Sequence, residues 1–432
     1  MRYSVIFVLL FFLHVQDLTG QARESSNDSI SVFYNEFKTA SMKNMEIWNK
    51  DLYGSILLVD PKTRELYANE ADESGVLKSN GNIYTGILPD KINIANTAVN
   101  WNKKRWAMMM LPLPKDKCDR IGLLAHESFH RIQPSLGFEL SNAENNHLDQ
   151  KEGRVYLRLE LEALKKAVKS VSEKELKKHL TSAFTFRKYR NSVYYGSDLS
   201  ENLLELNEGI AEFTGLIVSG RNKEQAIASL TKGIDRFFNN PTFVRSFAYH
   251  TIPVYGYLLY NKDKRWNKSI TPQTDLANYF MKAFNIKTPV DLNVAIKRLA
   301  DDYNGSIIIE EEAKREEKIK RLIEEYKSKF IDQPHFEIKF EKMNVSFDPR
   351  NIIPIEDKGV VYPNIRVTDK WGILTVENGA LMSTNWDKIS VSNPVRIEND
   401  RISGDGWLLE LADGYEIKKN EANGGYVLLI KK

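Results

Sequence analysis

Residues 126–130 read His-Glu-Ser-Phe-His, and this spacing constrains the chain more than any other feature of it. On a helix, side chains four residues apart lie one above the other, so both imidazoles can reach one point in space. Such a pair suits a metal ion, and the glutamate between them sits where it can take a proton from a metal-activated water. His126 and His130 are therefore candidate ligands and Glu127 the candidate general base. The flanking residues predict a helix from Asp119 as N-cap to just before Pro134. Ile121, Ala125, Phe129 and Ile132 fall within one arc of it, and His126, Glu127 and His130 on the other side. One face is expected in a core and the other at a cleft.

Length and charge narrow the setting. A chain of 432 residues with 42% hydrophobic content exceeds one ordinary domain. Its 61 basic residues nearly cancel 58 acidic ones, and no Lys/Arg cluster is interleaved with aromatics, so nucleic acid is not expected as a partner. Arg2, the apolar run Tyr3–Val15 and the small residues Thr19 and Gly20 read as a signal peptide over 1–20, cleaved near Gly20–Gln21. The mature chain is then secreted or periplasmic and has no transmembrane segment. Cys118 is the sole cysteine and excludes an intramolecular disulfide, which fits a bacterial periplasm or exterior.

An α+β architecture is expected. Ser29–Trp48 carries a helical pattern, and Ser55–Val59, Arg64–Ala68, Gly81–Leu88 and Ile92–Ala95 read as short strands of a small sheet. Trp106–Leu111 (WAMMML) is an apolar run that feeds the motif helix, with its methionines as core. Helical spacing follows over Glu152–Ser170, Glu173–Arg190, Ser200–Val218, Lys223–Phe238, Phe243–Tyr260, Asp275–Phe284 and Pro289–Ala300, an α-rich lobe that closes a catalytic domain at 21–305. Ile309–Phe330 is so dense in charge that it reads as a solvated helix, with 306–334 as spacer. Beyond it, alternating segments such as Phe336–Phe340, Gly372–Glu377, Ile389–Val391, Gly406–Leu411 and Tyr426–Ile430 are separated by Gly-containing turns. They predict a small all-β module at 335–432, structural or substrate-recruiting in role.

A catalytic zinc keeps three protein ligands and an open position, so the motif needs a partner downstream. Gln133 and Leu136 stand where the metzincin pattern needs its glycine and third histidine, which leaves a glutamate. Leu206-Asn207-Glu208-Gly209-Ile210-Ala211-Glu212-Phe213 resembles the N-E-G-x-A element of the gluzincin metallopeptidases. The resemblance covers the strand before the motif, the motif helix and this segment. It implies a zincin-like catalytic domain, Zn2+ as cofactor, His126, His130 and Glu208 as ligands and Glu127 as general base. Two departures accompany it: 78 residues separate His130 from Glu208, more than in the best-known members, and the G-x-M-E-N motif of the aminopeptidase branch is absent. Glu152 is the rival third ligand, at an interval nearer the usual one. Glu205 and Glu212 flank Glu208 on nearly the same face and can either orient a ligating histidine or lie on the helix surface.

Attack on an amide needs a donor for the oxyanion, and the stretch Phe247–Tyr255 supplies candidates. His250 and Tyr255 are assigned as catalytic, with Tyr249 beside them, against the competing role of aromatic packing. His147 is expected at the surface or behind a ligand. Arg154, Arg158, Arg187 and Arg190 can offer a cation to a peptide carboxylate or lie solvated. The resulting expectation is an exported zinc metallopeptidase acting on a peptide or protein substrate. Its alternatives are a metal-dependent amidase on a non-peptide or cell-wall substrate, and a non-catalytic binding or scaffold protein that keeps the fold.

Overall fold

The computed structural model describes residues 19–89, 92–138, 144–347 and 352–431; the expected signal peptide, save its last two residues, lies outside them. Helix α1 (Thr19–Lys43) seats Ile30, Tyr34 and Phe37 in the core at intervals of four and three, as an amphipathic helix does. Strands β1 (Ile56–Val59), β2 (Glu65–Ala68), β3 (Lys78–Asn80), β4 (Ile83–Ile87), β5 (Thr97–Trp101) and β6 (Lys104–Met110) form one sheet in the order β3-β4-β2-β1-β6-β5. β1 and β6 are parallel and β5 is an antiparallel edge strand. Ile92–Ala95 is not a strand; pairing begins at Thr97, where Thr97 to Trp101 align with Met108 to Lys104.

β1 and β6 are buried on both faces, which is why both read as continuous apolar runs. Ile56, Leu58, Ala107 and Met109 face the helical core, and Leu57, Val59, Trp106 and Met108 face a second, smaller core. Met108 and Met109 are core, as expected, while Met110 at the end of the run is exposed. Next comes α2 (Lys117–Ile132), followed by α3 (Lys151–Lys169), α4 (Glu173–Val193), α5 (Ser197–Leu204), α6 (Ile210–Val218), α7 (Lys223–Phe237), α8 (Ala248–Tyr260), α9 (Leu276–Ala283), α10 (Leu292–Ala300) and α11 (Gly305–Lys327). One hydrophobic core runs through this lobe from Ile30 to Ile308.

Most of the charged helix α11 is exposed, as the reading of 306–334 as solvated expects, but one point of it is buried against α3. Glu312 is buried and accepts from Arg154 Nε at 2.7 Å and Arg158 Nη1 at 2.8 Å, and Arg158 also reaches Glu311. Arg154 and Arg158 thus tie α3 to α11. Helix periodicity alone could not show this, because a buried acid matched to two buried arginines looks like surface charge in the sequence. At its far end Tyr326 and, just beyond the helix, Phe330 pack with Ile355, Val361 and Leu381.

Among the described residues, the strands from His335–Lys339 to Tyr426–Ile430 form a seven-stranded and a six-stranded sheet. Phe336, Ile338, Ile389 and Val391 of the first share one core with Val367, Leu374, Val376 and Leu409 of the second, so the two pack face to face. The fold is mixed α+β, with a helical N-terminal lobe and an all-β C-terminal region. No helix among the described residues is long and apolar enough to cross a membrane.

Candidate metal centre

The N-cap of α2 is Asp116, three residues before the expected one. Asp116 Oδ1 accepts the Asp119 N–H at 2.9 Å, and Asp119 sits in the first turn, where its charge suits the helix dipole. Ile121, Leu124, Ala125, Phe129 and Ile132 enter the core, with Phe129 against Trp48 at 5.1 Å between ring centroids. Arg105 of β6 donates to the His130 and Arg131 carbonyls and ties the end of the helix to the sheet. The opposite face is not open to a cleft as expected, since His126, Glu127 and His130 are all buried.

What covers them is the segment predicted as one helix over Ser200–Val218. It is interrupted: a π-turn over Glu205–Gly209 joins α5 to α6. Widened turns of this kind occur often at functional sites, and here the turn lets neighbouring acids face different ways. Glu205 points to Arg187, while Glu208 and Glu212, one turn apart, bracket the His126 ring. Two glycines allow the close fit. A Cβ at Gly215 would lie 2.6 Å from the Gly122 carbonyl oxygen of α2, and one at Gly209 would lie 2.6 Å from Ile252 of α8.

The ligand atoms of His126, His130 and Glu208 all lie within 4.8 Å of one another. Nε2 of His126 and Nε2 of His130 are 3.1 Å apart, and Glu208 Oε2 stands 3.4 Å from the first and 3.2 Å from the second. Three vertices of a tetrahedron around a zinc ion are separated by about 3.4 Å. Glu152, the rival, is exposed at the start of α3 and takes no part in this group.

The tautomers follow from the outer partners. Glu212 Oε2 lies 2.9 Å from His126 Nδ1, and an ionised carboxylate only accepts, so Nδ1 carries the proton. The His130 tautomer is set through Glu208, whose Oε1 accepts from Asn207 Nδ2 at 3.2 Å. Asn207 Oδ1 then accepts from Gln133 Nε2 at 3.1 Å, which turns Gln133 Oε1 toward His130 Nδ1 at 2.8 Å. Both histidines therefore donate outward from Nδ1 and leave Nε2, on the side facing Glu208, for a metal ion or, without one, a proton. Three acceptors converging in a buried place need a cation between them. Burial disfavours a charged His126, yet Glu208 and Glu212 outweigh it and bring the imidazole up to about 10. Burial likewise works against an ionised Glu208, but the two histidines hold it well below the usual carboxylate range. Burial raises the Glu127 carboxyl. The donor set fits a zinc ion.

Tyr249, at the first turn of α8, completes the cluster. Its hydroxyl donates to Glu208 Oε2 at 2.5 Å and its ring stacks on His126 at 5.3 Å with an interplanar angle of 9°. Burial pushes its phenol upward, and so do the Glu208 and Glu127 carboxylates, so it stays a donor. The two residues assigned as catalytic from the sequence lie elsewhere. His250 packs on Phe237 at 4.5 Å and lines a cavity beside Glu212. Tyr255 is fully buried between Phe184 and Phe280 and donates to Glu160 Oε1 at 2.9 Å. One residue's shift along α8 leaves His250 at the cavity but off the three ligands, and Tyr255, six residues beyond Tyr249, faces the core.

Arg187 and Arg190 are likewise internal. Arg187 makes a bidentate pair with Glu205 at 2.7 and 2.6 Å and reaches Glu160 at 2.8 Å; Arg190 pairs with Glu201 and Glu160. His147 sits 2.8 Å from Glu201 in the same network. Gln133 and the structural role of Asn207 are the residues that sequence reasoning missed. Gln133 lies three residues after His130, on the same helix face, and that spacing was the available signal. Compared with known proteins, the chain matches no family model, no curated protein and no solved structure.

Proposed function

We propose that this chain is an exported zinc-dependent hydrolase of the gluzincin type, with a zincin-like catalytic lobe, that cleaves peptide bonds. The observation that carries the reading is the convergence of the His126, His130 and Glu208 acceptor atoms, each oriented from behind, with Glu127 alongside. The edge strand β5 packing against α2 also agrees with the resemblance. Export rests on the pattern of residues 1–20.

When bound, zinc supplies the Lewis acidity that makes water a nucleophile near neutral pH and polarises a carbonyl. The chain's own residues do the rest. Glu127, on the same helix face as the ligands, is the group that accepts the proton of the attacking water and returns it to the leaving amine. Its buried, upshifted carboxyl suits both steps. Tyr249 presents its hydroxyl at the cluster and is the donor for the oxyanion, the role the sequence had assigned to His250 and Tyr255. Glu212 and the Gln133–Asn207 bridge hold the two imidazoles in the tautomer that ligation requires.

Glu212→Ala is expected to weaken zinc binding by about 10- to 100-fold with an unchanged far-UV spectrum, read by competition against a chelator of known affinity. An unaltered affinity would remove Glu212 from the site. The function itself is tested on a quenched-fluorescence peptide mixture before and after complete metal removal. Hydrolysis should vanish on stripping and return with one equivalent of zinc; hydrolysis that survives stripping would refute the reading.

A further inference from the structure

We infer that the cavity beside the metal cluster selects substrates that carry a carboxylate, bound by Arg236 with Lys232 farther out; this rests on the hydrolase reading above. The cavity encloses about 250 Å³ and is bounded by Leu123 of α2, Glu212 of α6, Arg236 of α7, and Tyr249 and His250 of α8. Glu212 and Tyr249 also touch the cluster itself, so anything bound at the three ligands has this space as its neighbour. Past Arg221 and Arg236 the cavity continues into a more open trough of about 520 Å³, which Lys232 lines.

Among the described residues, two of the cations facing this space have no partner, whereas each carboxylate has one. Every carboxylate in it is engaged: Asp119 by Arg221, Asp235 by Lys165 at 2.5 Å, Glu212 by His126, and Asp116 by the Asp119 N–H. Arg221 is consumed in its pair with Asp119. Arg236 and Lys232 have no side-chain hydrogen bond or ion pair among the described residues. Burial holds the His250 imidazole down at about 4 despite Glu212, so it is neutral and adds an N–H without charge. Two cationic side chains are thus left without a partner, of which Arg236 lines both the cavity and the trough. A guanidinium matches a carboxylate with two parallel hydrogen bonds. In a peptide substrate that carboxylate belongs either to an Asp or Glu side chain or to a free C-terminus.

The experiment uses labelled peptides of one sequence that differ only in Glu, Gln or Lys beside the scissile position, each with a free or an amidated C-terminus. Binding is measured by fluorescence polarisation on full-length Glu127→Gln protein, which leaves the peptides uncut, and cleavage is measured separately on wild type. Carboxylate-bearing peptides should bind about tenfold tighter than their neutral counterparts. Adding Arg236→Glu should erase that preference or turn it toward Lys, while Arg298→Glu, an exposed change on α10, should not. Whether the side-chain or the terminal carboxylate carries the preference identifies its source. Equal binding of the Glu, Gln and Lys peptides, with acid and amide termini alike, overturns the inference, as does an equal effect of Arg298→Glu; thermal melts of each variant verify folding. Cleavage by wild type without charge preference would sink the inference alone. Arg236-dependent binding with no cleavage of any peptide by zinc-loaded wild type would keep the site and sink the hydrolase reading.

Discussion

Glu127→Gln is expected to slow peptide hydrolysis by about 100- to 10,000-fold while the zinc content stays that of the wild type. The amide keeps the size and shape of the carboxylate and removes its capacity to accept a proton. Because Glu127 is not among the three converging acceptors, the cluster should hold its ion unchanged. Steady-state rates on a quenched peptide, beside elemental analysis of the same preparations, separate the two effects. A variant that loses both activity and zinc would make Glu127 a ligand or a structural residue. One that keeps full activity would remove it from the chemistry.

Arg187→Ala should be the most damaging single change outside the cluster. Arg187 is buried with Glu160 and Glu205, which are fully enclosed, and its removal leaves Glu205 without a cation and Glu160 with Arg190 alone, where water cannot replace it. Breaking a buried pair from one side costs about 3–5 kcal/mol, a large part of what holds an ordinary domain together. The damage should also reach the metal. Glu205 opens the π-turn that carries Glu208 three residues later, and Thr251 of α8 donates to the same Glu205 at 2.6 Å. Urea denaturation should show a lower midpoint, and the folded fraction should bind zinc more weakly. Lys314→Ala, which breaks an exposed pair with Glu310, should leave both unchanged. If Arg187→Ala matched Lys314→Ala, the network would carry none of the stability assigned to it.

The helices were largely legible in the sequence because each buries one face of a regular repeat. α3, α4 and α7 lie within a few residues of their expected bounds. The interruption at Glu205–Gly209 was not legible, since a π-turn keeps helical composition and is fixed by what Glu205 and Glu208 meet in space. Strands of three residues also escaped. Ile353–Ile355 (IPI) contains a proline, and Ala380–Met382 is too short to show alternation. At the site, His126, Glu127, His130 and Glu208 could be named because spacing and motif carry them. Gln133 was found by the fold, and Tyr249 was singled out by it from the aromatic stretch, because α2, the π-turn and α8 come to one point. His250 and Tyr255 were displaced from the cluster because the direction of a side chain on α8 depends on how that helix is rotated against α6. The arginines were misread for a common reason: a buried ion pair and a solvated one have the same composition.

The most direct test is the metal content of the mature protein, purified without chelators and analysed beside Glu208→Ala and Glu152→Ala. The account predicts about one zinc per chain in the wild type and in Glu152→Ala, and close to none in Glu208→Ala. A wild type without zinc, or a zinc that survives the loss of Glu208, would contradict it.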